Sequence, residues 1–112
     1  MTTHLMNLQP KYFDFIKDGT KRIELRLYDE KRRQIRLGDI IEFFKSEDDK
    51  IRTEVIGLLR YHSFKDLFED FSISVLADVS MNKDELLKVL SEFYSPEQQA
   101  EYGVVGIRLK LV

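Results

Sequence analysis

Apolar and charged residues alternate in the run GTKRIELR, at residues 19–26, and this is the most informative pattern in the chain. Ile23 and Leu25 alternate with Glu24 and Arg26, which is typical of a strand with one buried face. The charged side chains then share the other face. Because an ordered row of charges suits a site for a polar ligand, we expect the functional site on this strand.

Similar patterns predict the other elements of the fold. Strands are predicted at residues 4–8, 20–28, 40–44, 51–62 and 104–112, and helices at 10–19, 63–71, 82–93 and 95–103. Residues 29–36 are too charged for the core and are expected to form a loop or one exposed helical turn. Gly57, in mid-strand, indicates a bulge or a sharp bend. Since helices do not alternate strictly with strands, we expect an α+β fold with a curled antiparallel or mixed sheet.

Length and composition narrow the class of protein. A chain of 112 residues predicts a single domain over residues 1–112. Without cysteine it has no disulfide framework or thiolate metal site, and its two histidines, His4 and His62, are too isolated to predict a metal site. No apolar run is long enough to span a membrane, and no signal peptide is visible. We therefore expect a cytoplasmic protein with no cofactor and no membrane partner.

Positive charge is concentrated in one part of the chain. The net charge is −2, yet residues 17–36 hold eight Lys or Arg against four Asp or Glu. A basic stretch on an acidic body favours a focused anion site over a broad nucleic-acid coat. The alternative is a solvated basic loop with no partner.

Glu24 and Arg26 are the first candidate site residues. Glu24 could accept hydrogen bonds from a base edge or act as a general acid or base. Arg26 could bind a phosphate or a carbonyl in a bidentate manner. The alternative is a surface ion pair, worth about 0–1 kcal/mol.

Other candidates lie where elements meet. Lys21 falls on the buried side of the strand, so it is either a base with a lowered pKa or an ordinary strand-end lysine. Tyr61 and Ser63 mark a strand-to-helix junction, where amide groups bind anions or Ser63 simply caps the helix. Tyr102 precedes a helix-to-strand junction, and we expect it on the rim of a cleft.

Together these motifs resemble the activating-signal-cointegrator homology (ASCH) domain. The resemblance is carried by the runs GTKRIELR at 19–26, GDIIEF at 38–43, YHSF at 61–64, FY at 93–94 and YGVVGI at 102–107, and it spans about residues 5–111. It implies a PUA-like β-barrel of about five to six strands with flanking helices. It also implies a cleft lined by Lys21, Glu24 and Arg26, and a role near RNA or nucleotides.

Some proteins of this family are enzymes. One group, similar to this chain in its short barrel, hydrolyses N(4)-acetylcytidine with a Lys that matches Lys21, a Thr nucleophile three residues later and an assisting Glu. Here Glu24 stands at the Thr position, and the assisting Glu falls near Val79, with Asp78 adjacent. The activity cannot be carried over directly, since a carboxylate would act as a base on water instead. Ribonuclease character in another group suggests a further alternative, Lys21 with Tyr61 or Ser63.

The sequence thus leaves several hypotheses, of which binding ranks first. A binding module would hold RNA or a nucleotide, with Glu24 reading a base or a ribose hydroxyl, Tyr102 stacking, and phosphates contacted by the basic residues Arg22, Arg26, Lys31, Arg32 and Arg33. A small hydrolase of a modified nucleoside would use Glu24 as base and Lys21 to stabilise the oxyanion. A purely structural or protein-interaction domain would leave Glu24 and Arg26 solvated outside any pocket. The oligomeric state stays open.

Overall fold

The structure is a computed structural model that describes residues 2–77 and 80–112. Its strands are β1 (Thr3–Asn7), β2 (Ile23–Leu27), β3 (Ile40–Ser46), β4 (Asp49–Tyr61) and β5 (Val104–Leu111). Its α-helices are α1 (Pro10–Lys17), α2 (Phe64–Asp70), α3 (Ile73–Leu76), α4 (Lys83–Phe93) and α5 (Pro96–Tyr102), and a 3₁₀ helix covers Arg32–Gln34. The predicted strands and longer helices are confirmed, and the helical turn expected within residues 29–36 is the 3₁₀ helix. The sequence pattern does not predict α3.

The five strands form one curled sheet in the order β1-β3-β4-β5-β2. β1 runs parallel to β3, whereas the other neighbouring pairs are antiparallel. This confirms the α+β class and the mixed, curled sheet expected from the sequence. β1 and β2 are its two edge strands, and a sheet that curls brings such edges toward each other.

A bulge at Gly57 produces part of this curl. The register between β4 and β5 shifts between Val55 and Gly57, as the mid-strand glycine predicts. A Cβ atom at Gly57 would lie 2.9 Å from Cδ of Arg108 on β5. Glycine therefore lets the two strands stay close at the bend.

Two clusters of buried apolar side chains form the core. The first joins Ile23, Leu25 and Leu27 of β2 to side chains of α2, α3 and α4. The second joins α1 to the central strands β3, β4 and β5. The apolar residues of β2 face the first cluster. For this reason α3 and α4 pack beside β2 and cover its beginning.

The helix ends are fixed by side-chain caps. Ser63 Oγ accepts a hydrogen bond of 3.2 Å from the backbone N–H of Asp66, so this serine caps α2. A capping box of Asn82 and Glu85 begins α4. Within residues 2–77 and 80–112, no helix is long and apolar enough to cross a membrane.

Candidate functional site

The charged strand predicted at residues 20–28 is β2, and its odd and even positions differ as the alternation predicts. Ile23, Leu25 and Leu27 are buried in the first core cluster. Glu24 and Arg26 share the other face, but that face is not open to solvent. Glu24 is only 4% exposed and the Arg26 side chain 14% exposed. The site is therefore a buried cluster of charges, and not the surface ion pair that was the alternative.

Lys21, Glu24 and Arg26 form one connected network. Arg26 donates to Glu24 Oε2 from Nε at 3.1 Å and from Nη2 at 2.9 Å. Lys21 Nζ lies 3.5 Å from Glu24 Oε1 and donates to the backbone carbonyls of Ile23, at 2.6 Å, and Leu76, at 2.5 Å. Glu24 Oε1 also accepts from the N–H of Leu25 at 3.1 Å. Every group in this network has a defined partner, so its geometry is fixed before any ligand arrives.

Burial and neighbouring charges have opposite effects on the pKa values of these three groups. Burial lowers the pKa of the Lys21 ammonium, and the neighbouring carboxylate of Glu24 opposes this effect. For Glu24, burial acts to raise the pKa, but the charges of Arg26 and Lys21 outweigh it and the pKa falls below its ordinary value. Burial also acts to lower the pKa of Arg26, and the carboxylate of Glu24 outweighs it, so that this pKa is raised. The ionised form of Glu24 is thus stabilised chiefly by the guanidinium of Arg26.

Arg26 also connects the two edges of the curled sheet. Its Nη2 donates to the backbone carbonyl of Asn7, at the end of β1, with a length of 3.0 Å. β1 and β2 are not paired as neighbouring strands. We call the gap between these two unpaired edge strands the seam. The Arg26 side chain bridges the seam, and the charged network lies in it.

A cleft of about 160 Å³ opens onto this network. We call it the charged cleft. Its floor holds Lys21, Glu24 and Arg26, and Asn7 and Gln9 border it on the β1 side. Its walls are largely apolar and aromatic, and include Tyr12, Leu86, Val89, Leu90, Phe93 and Tyr94. A few converging polar groups in an apolar concave site are typical of a pocket for a small ligand.

The family model of the ASCH domain matches residues 6–112. This chain belongs to the ASCH domain family. The resemblance carried by the sequence motifs is thereby confirmed, and the cleft beside the sheet is the feature expected of this PUA-like fold.

Solved structures support the assignment of this ASCH domain. Hypothetical protein PH0355 is 40% identical, with a TM-score of 0.90 over 99% of this chain and 100% of its own. Protein PF0455 from Pyrococcus furiosus is 33% identical, with a TM-score of 0.81 over 99% and 98% of the two chains. ASCH from Zymomonas mobilis, 12% identical with a TM-score of 0.64 over 97% of this chain and 67% of that chain, shares the fold. No match was found among curated proteins.

The basic residues expected to bind phosphate do not gather at the charged cleft of the ASCH domain. Arg22 is exposed and borders a separate hollow on the other side of Lys21. Lys31 is exposed, and Arg32 pairs with Asp29 at 3.0 Å. Of the predicted basic set, Arg26 alone lines the cleft.

Tyr61 and Tyr102 lie in a second depression of about 430 Å³, together with Tyr28, Arg60 and His62. We call it the tyrosine groove. The expectation that Tyr102 borders the same cleft as Lys21, Glu24 and Arg26 therefore does not hold. Tyr61 lies in the tyrosine groove and does not line the charged cleft, and Ser63 serves as a helix cap. The geometry thus does not assemble the Lys21 pairings of the ribonuclease alternative.

Sequence reasoning missed the aromatic wall of the charged cleft. No pattern in the sequence places Tyr12 and Tyr94 at the cleft, but both line it. The Tyr12 ring centroid lies 6.0 Å from Lys21 Nζ. Phe93, next to Tyr94 at the end of α4, belongs to the same wall and is 56% exposed. Asp78 and Val79, at the position of the enzymes' assisting Glu, lie outside the described residues.

Proposed function

We propose that this ASCH domain binds RNA or a nucleotide by inserting one nucleobase into the charged cleft. RNA binding is the role generally attributed to ASCH domains. The observation that carries the proposal is the buried network of Lys21, Glu24 and Arg26 on the floor of an apolar cleft. Buried charges are seldom the most stable way to fill a core, so their presence favours a binding role.

The chemistry of the cleft suits a base better than a phosphate. A base has apolar faces and an edge of mixed donors and acceptors, and the cleft has aromatic walls with both kinds of group on its floor. Glu24 can accept from an amino group, and Arg26 can donate to a ring nitrogen or a carbonyl. A phosphate would approach the negative charge of Glu24. The remaining basic residues contribute long-range attraction for the rest of the ligand.

Two features of the network favour binding over hydrolysis of a modified nucleoside. Both oxygens of Glu24 already accept hydrogen bonds, and the lowered pKa makes this carboxylate a weak base. Lys21 directs its ammonium to two backbone carbonyls and to Glu24. It would have to give up one of these partners to stabilise an oxyanion.

Phe93→Ala tests the proposal without touching the charged network. Phe93 is 56% exposed on the cleft wall, so its removal should cost little stability. Loss of one stacking partner is worth about 1–3 kcal/mol, so affinity should fall about five-fold or more. The measurement is titration with the four ribonucleoside 5′-monophosphates and with a fluorescent, randomised hexaribonucleotide. Leu37→Ala, at a residue 66% exposed outside the cleft, is the control. Absence of binding at low salt, or equal affinities of the two variants, overturns the proposal.

A further inference from the structure

Two arginines lie against the Tyr28 ring at the tyrosine groove: Arg60 lines the groove, and Arg33 lies beside Tyr28 outside the groove lining. The guanidinium carbon of Arg60 lies 4.2 Å from the ring centroid of Tyr28, and that of Arg33 lies 4.9 Å from it. Arg33 Nε also donates to the backbone carbonyl of Tyr28 at 3.0 Å. Such cation–π contacts restrict long, exposed side chains. Two like charges held near one ring form a prepared site for an anion.

The tyrosine groove comes after the charged cleft in the direction in which β2 runs. Glu24, Arg26 and Tyr28 alternate, so their side chains leave the strand on one side. The backbone N–H of Tyr28 bonds to the carbonyl of Gly103 at 2.9 Å and so extends the β2–β5 pairing beyond Leu27. At about 3.3 Å per residue, Tyr28 lies about 13 Å from Glu24 along the strand. An extended ligand can therefore reach from one depression to the other.

The two walls of the groove differ in charge. Strand β4 supplies Arg60 to one wall, whereas α2 and α5 supply Asp66 and Glu101 to the other. Phosphate is attracted to the arginine side and repelled from the carboxylates. The carboxylates are suited to accept hydrogen bonds from the amino groups of a base. The Tyr102 ring, which is 37% exposed at the end of α5, offers a stacking surface beside them.

We infer that the tyrosine groove is a second contact for the same RNA strand, which binds the phosphate and base of a nucleotide adjoining the one in the charged cleft. This inference rests on the proposed function and narrows it. The ligand is a single-stranded segment of RNA, and a free nucleoside fills only half of the site. Separate contacts of this kind, linked by one strand, raise the affinity for the longer ligand.

Arg60→Gln and Tyr102→Ala, each in the full chain, test the second contact. The ligands are a fluorescent, randomised hexaribonucleotide and the four ribonucleoside 5′-monophosphates, titrated at several salt concentrations. We expect Tyr102→Ala to weaken hexamer binding about five-fold or more, as loss of a stacking partner does. We expect Arg60→Gln to weaken it and to reduce the slope of log affinity against log salt by about 0.7. Both variants should weaken mononucleotide binding much less than hexamer binding, because only the hexamer contacts both depressions at once.

Arg52→Gln is the matched control, because Arg52 lies on the same strand as Arg60 and pairs with Glu42 outside both depressions. Unchanged hexamer affinity in both groove variants, together with a loss in Phe93→Ala, overturns the second contact and leaves the cleft proposal standing. If the groove variants weaken hexamer binding and Phe93→Ala has no effect, the cleft proposal is wrong, and so is the inference that one RNA strand contacts both depressions. If neither ligand binds at low salt, both proposals are wrong.

Discussion

Replacing Glu24 with glutamine should destabilise the protein more than any other conservative change in the charged network. Glu24 lies 3.5 Å from the Lys21 ammonium and 2.9 Å from the Arg26 guanidinium. At an effective permittivity of about 20, these attractions are about 5 and 6 kcal/mol before desolvation is considered. Glutamine avoids the desolvation of the carboxylate, which offsets much of this. Buried pairs that lose one partner cost about 3–5 kcal/mol, and we expect a value near 3 kcal/mol.

Lys21→Met should cost less, about 2 kcal/mol: it leaves the carbonyls of Ile23 and Leu76 without this donor, whereas Glu24 keeps its two bonds from Arg26 and its bond from the Leu25 N–H. Methionine retains most of the volume of the lysine stem. The double variant, Lys21→Met with Glu24→Gln, should be more stable than Glu24→Gln alone. In that background Lys21 is no longer buried without its anion, so the two changes should couple by at least about 2 kcal/mol.

Urea unfolding at pH 7, followed by circular dichroism, gives the four free energies of unfolding that this cycle requires. The slopes with denaturant must agree among the variants for the comparison to hold. A cost below about 1 kcal/mol for Glu24→Gln would refute the reasoning. Additivity of the two changes within about 0.5 kcal/mol would refute it as well, since Lys21 and Glu24 would then be energetically independent.

Two further predictions concern stability outside the cleft. The hydrogen bond from His4, together with bonds from backbone N–H groups, lowers the pKa of Asp39 from 3.8 to about 2. The stability that ionised Asp39 gives the folded protein is therefore complete above pH 4 and is lost as the pH falls from about 4 to 2. Between pH 5 and pH 2 wild type should lose about 2 kcal/mol more than Asp39→Asn in urea unfolding, and equal losses would contradict this. Gly106→Ala should cost about 1–3 kcal/mol, because the new Cβ would meet Leu67 Cδ1 at 3.0 Å and Ile23 Cγ2 at 3.1 Å inside the core; an unchanged melting temperature would show that the core yields.

The sequence predicts those features of the fold that depend on residues close together in the chain. The bend at Gly57 follows from a glycine in the middle of a long strand, and the start of α4 follows from the Asn82 and Glu85 capping box. Helix α3, Ile73–Leu76, is too short to show a helical period, so the sequence pattern does not predict it. Its omission matters, because the carbonyl of Leu76 is one of the partners that hold Lys21.

The site was predictable only in part, for a similar reason. The alternation in β2 correctly groups Glu24 with Arg26, because side-chain direction along a strand is a local property. The separation of Tyr102 from the charged cleft depends on how the sheet curls and where α5 meets β5, and no spacing in the sequence encodes this. The burial of Glu24 likewise depends on α3 and α4 packing against β2.

The seam between β1 and β2 explains why charge is buried here at all. Full pairing of the edges would close the sheet most simply, and apolar side chains would fill the gap at lower desolvation cost. Instead Arg26 spans from Glu24 to the Asn7 carbonyl, and so the seam is closed by groups that can exchange partners. A base edge that accepts a bond from Arg26 competes with that carbonyl and replaces one bond with another of similar strength. Under the proposed function, the displaced carbonyl belongs to Asn7, an exposed residue that can bond to water instead, so a base would enter the seam without leaving a buried group unpaired.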